Sequence, residues 1–269
     1  MTALAQPSAA AGEKILLRHD AEGIATLTLN RPAARNALSG ELMTALKREL
    51  DAIAGDAAVK VVIIAGNGPA FCAGHDLREM RANPNRPFYE RLFAQCSALM
   101  QTIVRLPKPV IARVHGPASA AGCQLVASCD LAVAADEATL ATPGINIGLF
   151  CSTPMVALSR NVGRKAAMEM LLLGEAADAA RAVEIGLVNR AVPATRLDAE
   201  VTDLARAIAA KSPYVLAIGK EAFYRQLELP LNEAYEYASA VMAKNMMARD
   251  AAEGIDAFLD KRKATWRSC

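Results

Sequence analysis

Two apolar runs stand out along the chain, and each ends in a stretch of small residues. Val61-Val62-Ile63-Ile64-Ala65-Gly66 and Pro109-Val110-Ile111-Ala112-Arg113-Val114 are continuous and β-branched rather than alternating, the pattern of strands buried on both faces. These runs predict strands over 59–65 and 109–114. The first empties into Asn67-Gly68-Pro69-Ala70-Phe71-Cys72-Ala73-Gly74-His75-Asp76-Leu77. The second empties into His115-Gly-Pro-Ala-Ser-Ala-Ala-Gly-Cys-Gln-Leu-Val-Ala-Ser-Cys-Asp130, where Gln124 to Ala127 reads as an apolar helix face. Upstream, Ile15–Arg18 and Ile24–Leu29 flank Asp20-Ala21-Glu22-Gly23 and read as a hairpin. Ser39 caps a helix with Glu41 in its first turn, continued by Leu42, Ala45, Leu46 and Leu50. A helix over 87–105 follows, and Leu131–Ala135 is a further short strand. Ala166–Leu173 reads as a helix closed by Gly174, and 188–192 as a short strand before Pro193. Beyond residue 196 three or four amphipathic helices remain, broken at Pro213 and Pro230. This alternation of strands and helices is an α/β pattern, with residues 1–14 as a loose tail, a core over 15–195 and a helical region over 196–269.

Composition narrows the picture. The 269 residues are 53% hydrophobic and 22% charged, enough apolar surface for one large core. With 30 basic against 28 acidic residues and a net charge of +2, the chain has no broad surface for a polyanion, so nucleic acid is not an expected partner. No apolar run reaches the ~20 residues of a membrane-spanning helix. Cys72, Cys96, Cys123, Cys129, Cys151 and Cys269 form no C-x-x-C pair, and no secretory leader is read at the N-terminus. Reduced thiols and a cytoplasmic location are the expectation. No cluster has metal-ligand spacing, and no metal is expected.

The two turns suggest chemistry. The first N–H groups of a helix have no partner inside it and carry the positive end of its dipole. Ser119, Ala120, Ala121 and Gly122 would let another molecule approach that backbone closely, and such donors stabilise a carbonyl oxygen that gains charge. The same small residues would equally serve close helix packing. The backbone around Gly74 and His75 would supply a second donor. On these residues the chain resembles the crotonase, or enoyl-CoA hydratase/isomerase, superfamily. Leu29-Asn30-Arg31-Pro32 with Asn36-Ala37-Leu38, Phe71 to Leu77, His115 to Asp130, Arg181 to Val188 and Ala257 to Arg262 match it in order. The resemblance implies a spiral of repeated β-β-α units with a C-terminal α-helical trimerisation region. It also implies an oxyanion hole formed by the N–H groups of His75 and Ala121.

Proton transfer usually needs a carboxylate placed by the fold. By the resemblance, the two glutamates of enoyl-CoA hydratases fall on Gln124 and Gly144, and neither an amide nor glycine is a usable base. The chain is thus similar to the enoyl-CoA hydratase domain-containing members that lack both glutamates, and ordinary hydration is not expected. Installing Glu at 124 and 144 together would then raise hydration. Gln124 is open to orienting a water or to a polar structural role. No carboxylate occurs between Glu137 and Glu169, so Cys151 and Ser152 are further candidates to face the thioester, a thiolate being a competent nucleophile. The His75 ring is open to a proton-carrying or a merely satisfied role, as is His115.

For the coenzyme A part of a substrate, the resemblance assigns backbone at Ala34, Arg35 and Asn36 and around Ala73, His75, Asp76 and Leu77. Arg78 and Arg35 stand where they can meet phosphate, Ala121 and Gly122 line the thioester, and Phe258 and Lys261 reach a neighbouring subunit. No tightly bound cofactor is expected, and coenzyme A enters as part of the thioester. The partners implied are an acyl-CoA substrate and copies of the chain in a homotrimer or dimer of trimers. Three functions stay open: an acyl-CoA enzyme of hydratase, isomerase, decarboxylase or thioesterase type; a non-catalytic CoA-ester binder; and an RNA-binding protein, which the balanced charge disfavours.

Overall fold

Both faces of the central strand are apolar because both are covered. In the computed structural model, which describes residues 14–267, β1 (Leu16–Ala21) and β2 (Ile24–Leu29) form the expected hairpin. A 3₁₀ turn at Pro32–Ala34 leads to α1 (Gly40–Gly55). Ser39 Oγ accepts from the Leu42 N–H and so caps α1 as its sequence predicts. Next come β3 (Val61–Gly66), α2 (Leu77–Ala82), α3 (Arg86–Arg105), β4 (Val110–Val114), β5 (Ala118–Ser119) and α4 (Ala121–Ser128). The chain continues through β6 (Leu131–Ala135), β7 (Thr139–Ala141), a 3₁₀ turn at Pro143–Ile147, α5 (Pro154–Asn161) and α6 (Arg164–Leu173). It ends in β8 (Ala176–Asp178), α7 (Ala179–Glu184), β9 (Arg190–Val192), α8 (Ala194–Ala209), α9 (Pro213–Gln226), α10 (Leu231–Met246) and α11 (Arg249–Leu259).

The main sheet has the order β1-β2-β3-β4-β6-β9, and every neighbour pair from β2 onward is parallel. Val62, Ile64, Ala112 and Val114 point into the large core shared with α1, α3 and α4. Val61, Ile63, Ile111 and Val133 point the other way, into a second core closed by Leu197, Val201, Ala205 and Ala209 of α8. The boundary drawn at residue 196 therefore falls inside a helix packed on the sheet, and the helices that leave the core begin with α9. A small second sheet, β5-β7-β8, sits beside the first.

One buried ion pair fastens α9 to the core. Lys220 Nζ donates to Asp130 Oδ2 at 2.6 Å and to the carbonyls of Ile103 and Lys108, both at 3.0 Å. Asp130 also accepts from the Tyr224 hydroxyl at 2.9 Å and the Val110 N–H at 2.7 Å. The free thiols at Cys72, Cys96, Cys123, Cys129 and Cys151 are all buried, while Cys269 and the tail before Lys14 lie outside the described residues.

Candidate active site

Because β3 and β4 are parallel neighbours, the turns that follow them emerge at the same edge of the sheet, where ligands bind in open α/β sheets. The two turns are bonded together. The Cys72 N–H donates to the Pro117 carbonyl at 3.2 Å, and the Ser119 N–H returns to the Cys72 carbonyl at 2.9 Å. Gly74, at φ 94°, has no room for a side chain: a Cβ there would lie 2.9 Å from the Ser119 carbonyl oxygen and 3.4 Å from the Ala121 nitrogen. Gly122 is equally constrained, since a Cβ would sit 2.8 Å from the Cys72 carbonyl carbon. The small residues of both turns are thus required by their mutual approach.

That approach leaves two backbone donors uncommitted. On the first turn, the Leu38 N–H bonds to the Gly74 carbonyl at 2.7 Å and the Asp76 N–H to the Leu38 carbonyl at 3.2 Å, which fixes the peptide that carries the His75 N–H and the one after it. On the second, Ala120 holds φ 50° and ψ −115°, a conformation that costs a non-glycine residue ~1–3 kcal/mol. Its own N–H is anchored to the Ala141 carbonyl at 2.8 Å, and Ala121 opens α4. Among the described residues, neither the His75 nor the Ala121 N–H donates to a protein acceptor.

The carboxylates nearest these donors have other work. Asp76 caps α2 by accepting from the Arg78 and Glu79 N–H groups and pairs with Arg31 at 3.0 Å. Its pKa is lowered, burial being outweighed by Arg31 and the two N–H groups together. Glu79 accepts from the Gly40 N–H at 3.1 Å, at the start of α1. The His75 ring packs edge-on to Phe93, with centroids 5.5 Å apart, and Phe93 stacks on Tyr89. Burial lowers the pKa of this ring, against a smaller opposing pull from the Leu38 backbone. This aromatic wall is absent from the sequence-derived site, although three of the chain's few Phe and Tyr residues, Phe88, Tyr89 and Phe93, fall within one and a half turns of α3.

The remaining candidates divide. Gln124 is buried on α4, one turn from Ala121, and its Oε1 lies 3.9 Å from the Cys96 sulfur. Gly144 is buried in the 3₁₀ turn, where a Cβ would meet the Cys151 sulfur at 2.8 Å and overlap the Leu149 carbonyl oxygen. A side chain at the second glutamate position would therefore force the turn to shift, which stands against the expectation that Glu at 124 and 144 together would raise hydration. Cys151 is buried, and burial raises its pKa. Cys72, Cys96 and Cys123 are pushed by burial to about 12, so none of these four thiols is a ready thiolate. Ser152 is exposed and its hydroxyl donates to the Phe150 carbonyl at 3.3 Å. His115 lies elsewhere, on the α8 face of the sheet, with Nε2 2.9 Å from the Gly68 carbonyl oxygen in a cavity of about 380 Å³ shared with Thr26, Arg113 and Asp198.

At the position assigned to adenine, Arg35 and Asn36 both adopt positive φ, 50° and 54°. The Asn36 side chain is consumed in holding the turn, accepting from the Arg31 N–H and donating to the Asn67 and Ala70 carbonyls, each at 2.8 Å. The Ala34 carbonyl accepts from the Ala37 N–H and the Arg35 carbonyl from the Ala73 N–H, both at 3.0 Å. Arg35, Arg78 and Leu77 are exposed around this turn, and among the described residues neither arginine is ion-paired. Phe258 and Lys261, at the end of α11, are also exposed.

The sequence matches the family described as Enoyl-CoA hydratase/isomerase over residues 19–268. Enoyl-CoA hydratase domain-containing protein 3, mitochondrial, of Rattus norvegicus is 46% identical over 245 residues, 91% of this chain and 82% of that protein. A solved enoyl-CoA hydratase of Mycobacterium smegmatis has a TM-score of 0.93 at 55% identity, covering 94% of this chain and 99% of that chain. The solved human enoyl-CoA hydratase domain-containing protein 3 has a TM-score of 0.91 at 45% identity, covering 94% and 100%. These comparisons correct the cytoplasmic location expected from the thiols: the rat, mouse and human relatives are named as mitochondrial.

Proposed function

Because the chain belongs to the enoyl-CoA hydratase/isomerase family, we propose that it is an enzyme acting on acyl-CoA thioesters through an enolate or oxyanion held by the N–H groups of His75 and Ala121. The observation that carries this reading is the pair of uncommitted donors on two turns that bond to each other. The thioester oxygen seats between them, and the charge it gains strengthens both bonds, so the site favours the enolate over the ground-state ester. Arg35 and Arg78 meet the phosphates of coenzyme A, which enters as part of the substrate, while backbone near Ala34, Asn36, Ala73 and Leu77 borders the adenine. Ordinary hydration is outside the proposal, because Gln124 and Gly144 supply no base. That lack equally favours a second reading, a CoA-ester binder without turnover, which a panel of enoyl-, acyl- and malonyl-type CoA esters separates from the first.

Ala121→Pro removes one donor. The experiment compares binding of acetoacetyl-CoA, which enolises readily, with binding of free coenzyme A. The expected result is a loss for acetoacetyl-CoA on the order of 10²-fold with a much smaller change for coenzyme A, in a variant whose melting curve shows that it is folded. Equal loss for both would refute the oxyanion assignment. The assembly proposed is a homotrimer or dimer of trimers, supported by large apolar side chains exposed on the C-terminal helices: Met247 is 87%, Phe258 82%, Leu231 76% and Leu259 70% exposed. Light scattering at micromolar concentration would contradict it by returning the monomer mass.

A further inference from the structure

The cavity on the α8 face of the sheet lies behind the two turns and takes no part in the thioester site. Helix α8 crosses the sheet obliquely. Asp198, near its start, meets Arg113 of β4, and Arg206, near its end, pairs with Glu22 in the β1–β2 turn. The corner over the ends of β2 and β3 is left without a helix, and there the apolar face of Ile24, Val61 and Ile63 gives way to Thr26, Thr28 and Ala65. Thr28 pairs with Ala65, and Arg113 follows Ala112, the partner of Ile64, so Thr28, Ala65 and Arg113 form one row across the sheet. The methyl of Ala65 is too short to fill that row, which leaves the hollow of about 380 Å³.

The polar groups around this hollow are only partly used. Arg113 is largely buried, its side chain 22% exposed, and among the described residues its hydrogen bonding is confined to Nε, which donates to Asp198 Oδ1. Both terminal nitrogens of the guanidinium are left uncommitted. His115 Nε2 lies 2.9 Å from the Gly68 carbonyl oxygen. A carbonyl only accepts, so in the neutral ring Nε2 carries the proton and Nδ1 keeps a lone pair. That Nδ1 is buried and, among the described residues, has no partner. Buried polar groups are almost always paired, so this acceptor lacks what an occupant would supply.

The charges decide the class of occupant. Arg113 and Asp198 contribute one cation and one anion, the second 78% exposed at the mouth. A simple anion would be drawn by Arg113 and repelled by Asp198, and a simple cation the reverse; a molecule bearing both charges complements both. We propose that this cavity binds a small amino acid as its zwitterion. The carboxylate takes the two terminal nitrogens of Arg113 in bidentate geometry and accepts from the Thr28 hydroxyl. The ammonium donates to His115 Nδ1 and to Asp198. His115 and Gly68 belong to the turns after β4 and β3, so the occupant rests against the back of both turns, and its binding does not depend on the thioester seating.

The test is calorimetric titration of the intact protein near neutral pH. L-alanine, L-lactate and propionate share one carbon skeleton and differ only in carrying an ammonium, a hydroxyl or a hydrogen at the α-carbon, while L-alaninamide keeps the ammonium and lacks the carboxylate. L-alanine should saturate one site per chain, and the other three should each bind more weakly by roughly 10-fold or more. Arg113→Met should weaken L-alanine by roughly 10–100-fold, and Thr28→Val, which preserves volume and charge, by roughly 5-fold. Melting curves establish that both variants are folded. No saturable binding of L-alanine to the wild type would overturn the proposal, and so would wild-type affinity in the folded Arg113→Met variant. Equal affinity for the three acids would overturn the zwitterion assignment.

Discussion

Gly144→Ala tests whether the site has lost the geometry of hydration or only its side chains. The added methyl would lie 2.8 Å from the Cys151 sulfur and overlap the Leu149 carbonyl oxygen. That carbonyl belongs to a turn already held from within, where the Leu149 N–H donates to the Gly144 carbonyl at 2.9 Å and the Gly148 N–H to the Ile145 carbonyl at 3.2 Å. Relief thus requires the backbone after Gly148 to shift, not a side chain alone. Overpacking of this kind costs ~1–3 kcal/mol. At about 2–4 °C per kcal/mol for chains approaching this length, the melting temperature should fall by roughly 2–12 °C. Thermal unfolding followed by circular dichroism reads this directly, and adding Cys151→Ala should recover part of the loss by removing one of the two obstacles. A glutamate at 144 meets the same obstruction with a longer side chain, so Gln124→Glu combined with Gly144→Glu should destabilise the protein without raising hydration of a trans-2-enoyl-CoA. A Gly144→Ala variant melting within about 1 °C of the wild type, against the several degrees expected, would show that the turn yields freely and that the closed-site argument is wrong.

Two further outcomes follow from buried groups. Lys220→Met leaves the Asp130 carboxylate without its cation and should cost ~3–5 kcal/mol in chemical denaturation; adding Asp130→Asn, which keeps an acceptor for the Val110 N–H, should return much of it, and an unchanged midpoint for the single variant would refute the fastening role. The lowered pKa of His75 means that the unfolded chain binds a proton at this residue more readily than the folded one. Stability should therefore fall as pH drops below ~6.5 toward the folded value and be indifferent to this group above it. Denaturation at pH 7 and pH 5 should show a larger loss for the wild type than for His75→Gln, and equal losses would refute a neutral buried ring.

The strands were legible because burial on both faces leaves an unbroken apolar run, as at Val61–Gly66, and the cap of α1 because Ser39 acts on a residue three positions away. Helix α2 was not. It buries none of its residues and so shows no apolar period; what starts it is the Asp76 side chain, whose capping role is hidden beside a glycine turn with another apparent purpose. The apolar face of α8 is plain at Leu197, Val201 and Ala205, yet nothing local says that it meets the second face of the sheet. A division at residue 196 follows naturally from pattern alone and cuts the helix that closes the core.

The same distinction runs through the site. The close approach of the two turns is written into the sequence by small residues such as Gly74 and Gly122, whereas the naming of His75 and Ala121 as the donors came from the family resemblance. A side chain's availability is not written there, because it depends on what every other group has been used for. Asp76 and Glu79, the carboxylates near the turn, hold helix N-termini. His75 looks ambiguous until the ring is seen packed edge-on against Phe93, where burial lowers its pKa. At Gly144 the missing carboxylate is visible in the sequence, but the space for one is withheld by Leu149 and Cys151. A chain that had merely lost two glutamates would keep room for them. This one has filled the second position with the Leu149 carbonyl and the Cys151 sulfur, so a base placed there to activate water would require the backbone of the turn to move.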